Sequence, residues 1–402
     1  IDYRNQGSAV GDTLNGIIDF QGHSVYRDTH NASGGNAASY MFYNIGSNGV
    51  VKNMDLHIYF DGGARSDYFG IAYYNYGTIE NLNITVEQNN QKANYRISLV
   101  AREQYGTVKN FVVNNKDGVT SRRLCGLIAY DNYGTIMNGY FYGKPIDTIF
   151  NTDKGQRYIG VVTAYNSQNA YLANMYSLID VNLQDEEAAS TSYQSEVGNI
   201  SGGSYRAVVR NVYTYSEGKN RNKSQDINII KEGSSSVINA SNLYYATKND
   251  YSGDFSNKIS PNTLRQESFQ NILNADNAFN IKDYVKYGYY PHIIWPEVMP
   301  NQEYIELPSV DDGNLDFLNL EEREELENEK VSATLVFQNP GYDTIKSLEF
   351  DSGLVTDIKD QVNKDNKSYV KVEFSSNDKF ITKYALRKIK YVYSGDFNQN
   401  IS

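Results

Sequence analysis

The sequence predicts an all-β chain: a right-handed parallel β-helix, wound as a solenoid of about 28–37-residue coils, followed by a small antiparallel β domain. Three observations predict it. A Gly-x-(β-branched)-x-Asn step recurs along the first half. The apolar residues around that step alternate with polar ones. The composition is rich in aromatics (36 Tyr, 16 Phe) and poor in Pro (7), which favours strands.

The step is read in "NYGTIENLNITV" (75–86), "QYGTVKNFVV" (104–113), "NYGTIMNGYF" (132–141) and, more loosely, "SNGVVKNMDL" (47–56). Its asparagines are Asn53, Asn81, Asn110 and Asn138, spaced 28, 29 and 28 apart. Helical-pair repeats run to about 33–47 residues and need apolar residues at spacings of three and four. Here Leu82, Ile84 and Val86 alternate instead. A coil of this length holds short strands joined by turns, and successive coils stack at about 4.8 Å.

Each repeated residue then has a predicted place. Gly49, Gly77, Gly106 and Gly134 belong at turns that need positive φ or close backbone approach. Ile79, Val108 and Ile136 fill the dry interior. The asparagines form an internal amide ladder, because a buried amide without a partner costs about 1–3 kcal/mol and a stack supplies one. Ala72, Ala101 and Ala129, five residues before successive glycines, make a row of small residues at a tight corner. The step continues at Asn174 and Asn211, 36 and 37 residues on, with a last coil around Asn242. The longer coils imply bulging loops, the clearest being "LQDEEAASTSYQSE" (183–196).

Charge and composition narrow the function classes. The chain of 402 residues carries a net charge of −11 and no basic tract, which argues against nucleic acid or an anionic membrane as partner. It shows no hydrophobic span. It begins with Ile, without an initiator Met or signal peptide, and reads as a piece of something longer. The single Cys125 lies in an apolar run, excludes a disulfide framework and reads as a small buried hydrophobe. A large, Tyr- and Asn-rich, nearly Cys-free β chain points to an exported bacterial protein, extracellular or held in the cell wall.

The predicted domains are residues 1–300 as the solenoid with a closing segment from about 250, residues 301–330 as an acidic linker, and residues 331–402 as the antiparallel domain. "YGYYPHIIWPEVMPNQEYIELP" (287–308) closes the solenoid with aromatics and prolines. "LDFLNLEEREELENEK" (315–330) reads as a short exposed helix. Beyond it Ala333, Leu335 and Phe337 alternate, as do Val370, Val372 and Phe374.

"LNGIIDFQGHSVYRD" (14–28) resembles the opening coil of bacterial surface proteins with GLUG repeats, through Leu14, Gly16, Ile18, Asp19, Gly22, His23 and Val25. That likeness covers roughly residues 10–250 and is specific for architecture rather than function. The aromatic closure, followed by "FQNPGY" (337–342) and "SYVKVEF" (368–374), resembles the non-catalytic N-terminal and middle region of immunoglobulin-A-specific zinc metallo-endopeptidases. The resemblance implies a secreted or wall-attached virulence factor. Its partners would be a host glycoprotein such as immunoglobulin A and a catalytic domain further along the same chain. It also implies that zinc belongs to that further domain, on a His-Glu-x-x-His helix. The histidines present are His23, His30, His57 and His292; none precedes Glu and no two are four apart. No catalytic, metal or cofactor-binding residue is therefore expected in this sequence.

The sequence offers little for other chemistry. Asp185, Glu186 and Glu187 are adjacent in an expected loop, where neighbours on an extended chain point to opposite sides. Asp311 and Asp312 fall in the linker, and "LPSVD" (307–311) lacks the Thr-Gly of a sorting signal. A glycan-cleaving β-helix would need an acidic or metal cluster in one groove, and the sequence shows none. The tyrosines are the candidates for binding. Tyr76, Tyr105 and Tyr133 precede successive turn glycines and should form a column, with Tyr73, Tyr74 and Tyr130 close by. They read either as a flat aromatic strip for a glycan or protein, or as a stacked ladder that stabilises the coil. Two functions stay open: the scaffold and substrate-recognition region of a zinc metalloprotease, and a surface adhesin module.

Overall fold

The computed structural model describes residues 1–2, 11–28, 38–60, 67–89, 94–148, 157–183, 195–216, 228–232, 239–246, 257–259, 261–286, 288–300, 302–307, 316–326, 330–338, 345–350, 357–375 and 386–391. The chain divides into two compact units, Ile1–Lys258 with Ile293–Asn301, and Ile259–His292 with Gln302–Ser402.

The first unit is a parallel β-solenoid. One row of strands runs Ile17–Asp19, Val50–Phe60, Thr78–Asn89, Thr107–Asn115, Thr135–Gly143, Tyr171–Ser177, Val208–Tyr215, Asn239–Ala246. A second runs Gly11–Leu14, Phe42–Ile45, Ala72–Asn75, Ala101–Gln104, Ala129–Asn132, Thr163–Asn166. A third runs Ala38–Ser39, Asp67–Phe69, Asn94–Ser98, Val119–Cys125, Arg157–Ile159. Ser195–Ser204 pairs with both the second and the third row and joins them into one sheet.

The alternation of the sequence sets which side chains enter. Ile79, Val108, Ile136 and Leu172 stand in register and are fully buried. Leu82, Phe111, Gly139 and Met175 form the next such line. There the Phe111 ring occupies the space a Cβ on Gly139 would need, so a large and a small residue share one slot. Cys125 is buried in the same core, and burial pushes its thiol up to about 12.

The ladder asparagines stand one above another. Asn53, Asn81, Asn110, Asn138, Asn174, Asn211 and Asn242 all have left-handed backbone, with φ between 52° and 57°. Each interrupts an extended run with one residue that few side chains other than Asn tolerate there. Their amides bond from coil to coil at 2.9, 3.2, 3.3, 3.1, 3.0 and 2.9 Å. The first rung ends on a carboxylate: Asn53 Nδ2 donates to Asp19 Oδ1 at 2.9 Å. That hydrogen bond, helped by the Gln21 backbone N–H, holds the Asp19 carboxyl below its usual range.

Gly49, Gly77, Gly106 and Gly134 have ordinary negative φ; the left-handed backbone belongs to the asparagines. The glycines are needed for contact. A Cβ on Gly77 would strike the carbonyl oxygen of Gly49, one on Gly106 that of Gly77, and one on Gly134 that of Gly106. Those carbonyls accept from Thr78, Thr107 and Thr135, which locks the coils together at this corner.

Gly22 is both left-handed (φ 76°) and crowded, since a Cβ there would strike the carbonyl of Val298. The stretch Ile293–Asn301 thus packs on the opening coil. The loop expected at 183–196 lies outside the described residues between 184 and 194, with Asp185, Glu186 and Glu187.

The second unit contains the antiparallel sheet, in the order Asp316–Leu326, Lys330–Gln338, Lys367–Ser375, Asp357–Lys364. Leu335 faces Val370 and Ala333 faces Val372, all fully buried. The hairpin at Asp365 and Asn366 has φ of 51° and 59°, the left-handed pair that a type I′ turn requires. Ile345–Phe350 and Leu386–Tyr391 form a separate antiparallel pair. Within the segment read as the closure, Pro261–Leu264, Glu267–Leu273 and Lys282–Lys286 are short helices of this unit, while Ile293–Asn301 belongs to the first.

One element differs outright. The acidic stretch expected as an exposed helix is the strand Asp316–Leu326, antiparallel to Lys330–Gln338. Glu, Leu and Arg favour helix by intrinsic propensity. Here the neighbouring strand, rich in Val, Thr and Phe, offers a ladder, and pairing outweighs propensity. The register shifts between Phe317 and Asn319 and between Glu321 and Glu324 show how imperfectly the segment fits.

Candidate functional site

Three repeats align residue by residue: "AYYNYG" (72–77), "AREQYG" (101–106) and "AYDNYG" (129–134). The parallel register converts each column of that alignment into a row of neighbours. Ala72, Ala101 and Ala129 are buried. Tyr73, Arg102 and Tyr130 form one outer row, and Tyr74, Glu103 and Asp131 a second. Tyr76, Tyr105 and Tyr133 form a third, at the turn.

The fourth column points inward and supplies two further amide rungs, which sequence reasoning missed; Gln104 Nε2 finds no partner among the described residues, so they do not join into one ladder. Asn75 Nδ2 donates to Gln104 Oε1 at 2.7 Å, and Asn132 Nδ2 to Asn166 Oδ1 at 3.1 Å. The Asn75 and Asn132 oxygens accept from the backbone N–H of Gly77 and Gly134. The alignment held the signal, since Asn, Gln and Asn occupy one column.

The tyrosine column is stacked face to face. Tyr76 and Tyr105 have centroids 4.7 Å apart and planes 9° apart; Tyr105 and Tyr133 stand at 4.7 Å and 8°. All three are exposed. Their ring faces are spent on one another, so the column offers edges and hydroxyls rather than a flat strip. Tyr40, Tyr43, Tyr73 and Tyr74 extend the face with stacked and edge-on contacts. Tyr105 donates its hydroxyl to Glu103 Oε2 at 2.8 Å, and burial followed by that carboxylate raises its own pKa.

The charged groups among the rings were also missed, because no single motif carries them. The Arg102 guanidinium lies 4.4 Å from the Tyr73 centroid, and Arg96 lies 5.7 Å from that of Tyr130. Arg102 stands 3.7 Å from Glu103, and Arg96 stands 3.3 Å from Asp67. Asp131 is raised to about 6, first by burial and then by the neighbouring Glu103.

A second polar cluster ties together four coils. His57 Nδ1 meets Glu87 Oε1 at 2.8 Å and His57 Nε2 meets Asp55 Oδ2 at 2.9 Å. Ser24 donates to Asp55 at 2.7 Å, Asn83 donates to it at 2.8 Å, and Lys116 pairs with Glu87 at 3.2 Å. Both ring nitrogens serve carboxylates, so the imidazolium is the favoured form and the cluster is a clamp rather than a nucleophile–base pair. His292 is buried in the second unit against the Tyr284 ring, 4.2 Å between centroids, and burial lowers it to about 3. His30 lies outside the described residues. Among the described residues, no three or more His, Cys, Asp or Glu are grouped to hold a metal, and no helix is long and apolar enough to cross a membrane.

Compared with models of known families, with curated proteins and with solved structures, the chain matched none.

Proposed function

We propose that the solenoid is the non-catalytic scaffold and substrate-recognition region of a secreted or cell-wall-attached bacterial zinc metalloprotease acting on host glycoproteins such as immunoglobulin A. The observation that carries the reading is the tyrosine-bearing face, where Tyr43, Tyr76, Tyr105 and Tyr133 are exposed together across successive coils. Exposed aromatic clusters mark protein and ligand interaction sites. The strands that carry it are tied by the Asn75–Gln104 and Asn132–Asn166 amide bonds, which hold the face in place and lower the ordering cost of binding. The zinc and its His-Glu-x-x-His helix would belong to the downstream domain of the parent.

The test is binding of the purified chain to immobilised human immunoglobulin A, with mucin and bare glycans as controls, for the wild type and the Tyr76→Ser/Tyr105→Ser double variant. Micromolar binding to the immunoglobulin alone, weakened in the folded double variant, supports the reading. Equal binding by both sinks the tyrosine face as the contact. The exposed face serves an adhesin module equally well; a His-Glu-x-x-His helix downstream in the parent gene selects the protease.

A further inference from the structure

We propose that the tyrosine-bearing face binds a basic side chain, lysine or arginine, of a partner polypeptide, with Asp131 as its counter-ion. This deepens the recognition reading above and rests on it.

The argument begins with charge placement. Three carboxylates and two guanidinium groups share this region: Asp67, Glu103 and Asp131 with Arg96 and Arg102. Arg96 is committed to Asp67 and Arg102 stands beside Glu103. Asp131, among the described residues, makes no ion pair and no hydrogen bond. One coil earlier Glu103 receives the hydroxyl of Tyr105. The equivalent hydroxyl, that of Tyr133, is instead hydrogen-bonded to Ser167, which leaves Asp131 without that donor.

The surroundings define the ligand. Asp131 lies in line with Tyr74 and Glu103 on one side and Tyr165 on the other. Rows bearing Tyr130 and Tyr133 flank it. The same face already seats guanidinium groups beside rings, Arg102 against Tyr73 and Arg96 against Tyr130. A basic side chain from a partner would repeat that chemistry at Asp131, adding an ion pair to ring contact. A sugar ring is the poorer fit, because the stacked column spends its ring faces on itself. A divalent cation would want more oxygen ligands than Glu103 and Asp131 supply. The net charge of −11 favours approach of a basic partner.

Binding should depend on pH. The groups that face Asp131 are Glu103 and Arg102 from Ala101–Gln104, Arg96 from Asn94–Ser98, Tyr165 from Thr163–Asn166, and Tyr133. Burial and Glu103 oppose its ionisation, while the two arginines favour it. A cation arriving at Asp131 requires the ionised form, so affinity should rise as pH passes upward through about 6.

The experiment is a methyl-detected NMR titration of the whole chain, with Ala101 and Ala129 as reporters on the two strands. The probes are N-acetyl-arginine amide, N-acetyl-lysine amide, the neutral isostere N-acetyl-citrulline amide, and maltose. The expected result is a saturating shift at Ala129 with the two cationic probes alone at pH 7.5. It should weaken by about tenfold at pH 5, where an acid of that pKa is roughly one-tenth ionised. Asp131→Asn should abolish it and Asp131→Glu should keep it. Equal response to citrulline or maltose, or an undiminished response in Asp131→Asn, overturns the proposal. The immunoglobulin assay separates the two readings: loss in the tyrosine double variant with retention in Asp131→Asn removes this inference alone, whereas retention in both removes the recognition surface as well.

Discussion

Asn81 donates its side-chain amide to Asn53 one coil away at 2.9 Å, and both residues hold left-handed backbone, φ 56° and 55°. One residue type thus meets two demands: a conformation costly for most side chains and a partner for a semi-buried amide. The two contributions can be separated at Asn110. Asn110→Ala should lose both, costing on the order of 1–3 kcal/mol for the unpaired neighbours and about 1 kcal/mol more for the backbone. Asn110→Gly keeps the backbone and should cost less. Urea midpoints of the two variants measure the difference, and unchanged midpoints in both would remove the ladder from the account of stability.

Gly106 is a sharper case. Its missing Cβ makes room for the carbonyl of Gly77, which is backbone and cannot rotate away. Gly106→Ala should cost upward of about 3 kcal/mol, at the severe end of overpacking, although φ there is ordinary. A thermal midpoint within a degree or two of wild type would show that the coils can separate locally.

The His57 clamp predicts a pH dependence. The hydrogen bond to Asp55 is the largest influence on His57; burial opposes it, Glu87 assists, and the net effect raises its pKa. A raised folded-state value contributes stability that is fully present below the unfolded value of about 6.5 and is lost as pH rises through the folded value. Burial would raise Asp55 and Glu87, but hydrogen bonds from His57, Ser24 and Lys116 outweigh it and lower both. Their contribution is lost as pH falls through the lowered folded values. Wild type should therefore lose stability from neutral to alkaline pH relative to His57→Gln. Parallel urea midpoints for the two proteins from pH 6 to 9 would count against the clamp.

Asp131 works the other way. Its folded-state value of about 6 exceeds the unfolded one, so the folded state holds the proton more tightly. Stability from this group falls as pH rises from about 4 to 6 and stays lower above that. Asp131→Asn should therefore match wild type at pH 4 and exceed it at pH 7.5, measured by denaturant midpoint at both. A less stable variant at pH 7.5 would show that the carboxylate supports the fold.

The rows of Asn, Gly, Ala and Tyr were legible because a repeat of fixed period turns sequence spacing into spatial stacking. The Asn75–Gln104 and Asn132–Asn166 pairs were equally present in the alignment, yet Gln104 broke the identity of the column and hid it. Glu103 and Asp131 were hidden for a related reason, since their column mixes Tyr74, Glu103, Asp131 and Tyr165 and repeats no single residue type.

The sequence by itself determined the winding. Its period, its alternation and its Gly-x-x-x-Asn step specify parallel coils with a filled interior, because stacking gives the ladder asparagines their partners and buries Ile79, Val108 and Ile136. Tertiary structure alone decided three things. It made a strand of Asp316–Leu326, where pairing with Lys330–Gln338 outweighed helical propensity. It brought Val298 onto Gly22, a contact across a separation no local signal spans. It turned the tyrosine column on edge and left Asp131 without an ion partner among the described residues, because ring orientation and the pairing of charges are settled by neighbours on adjacent coils.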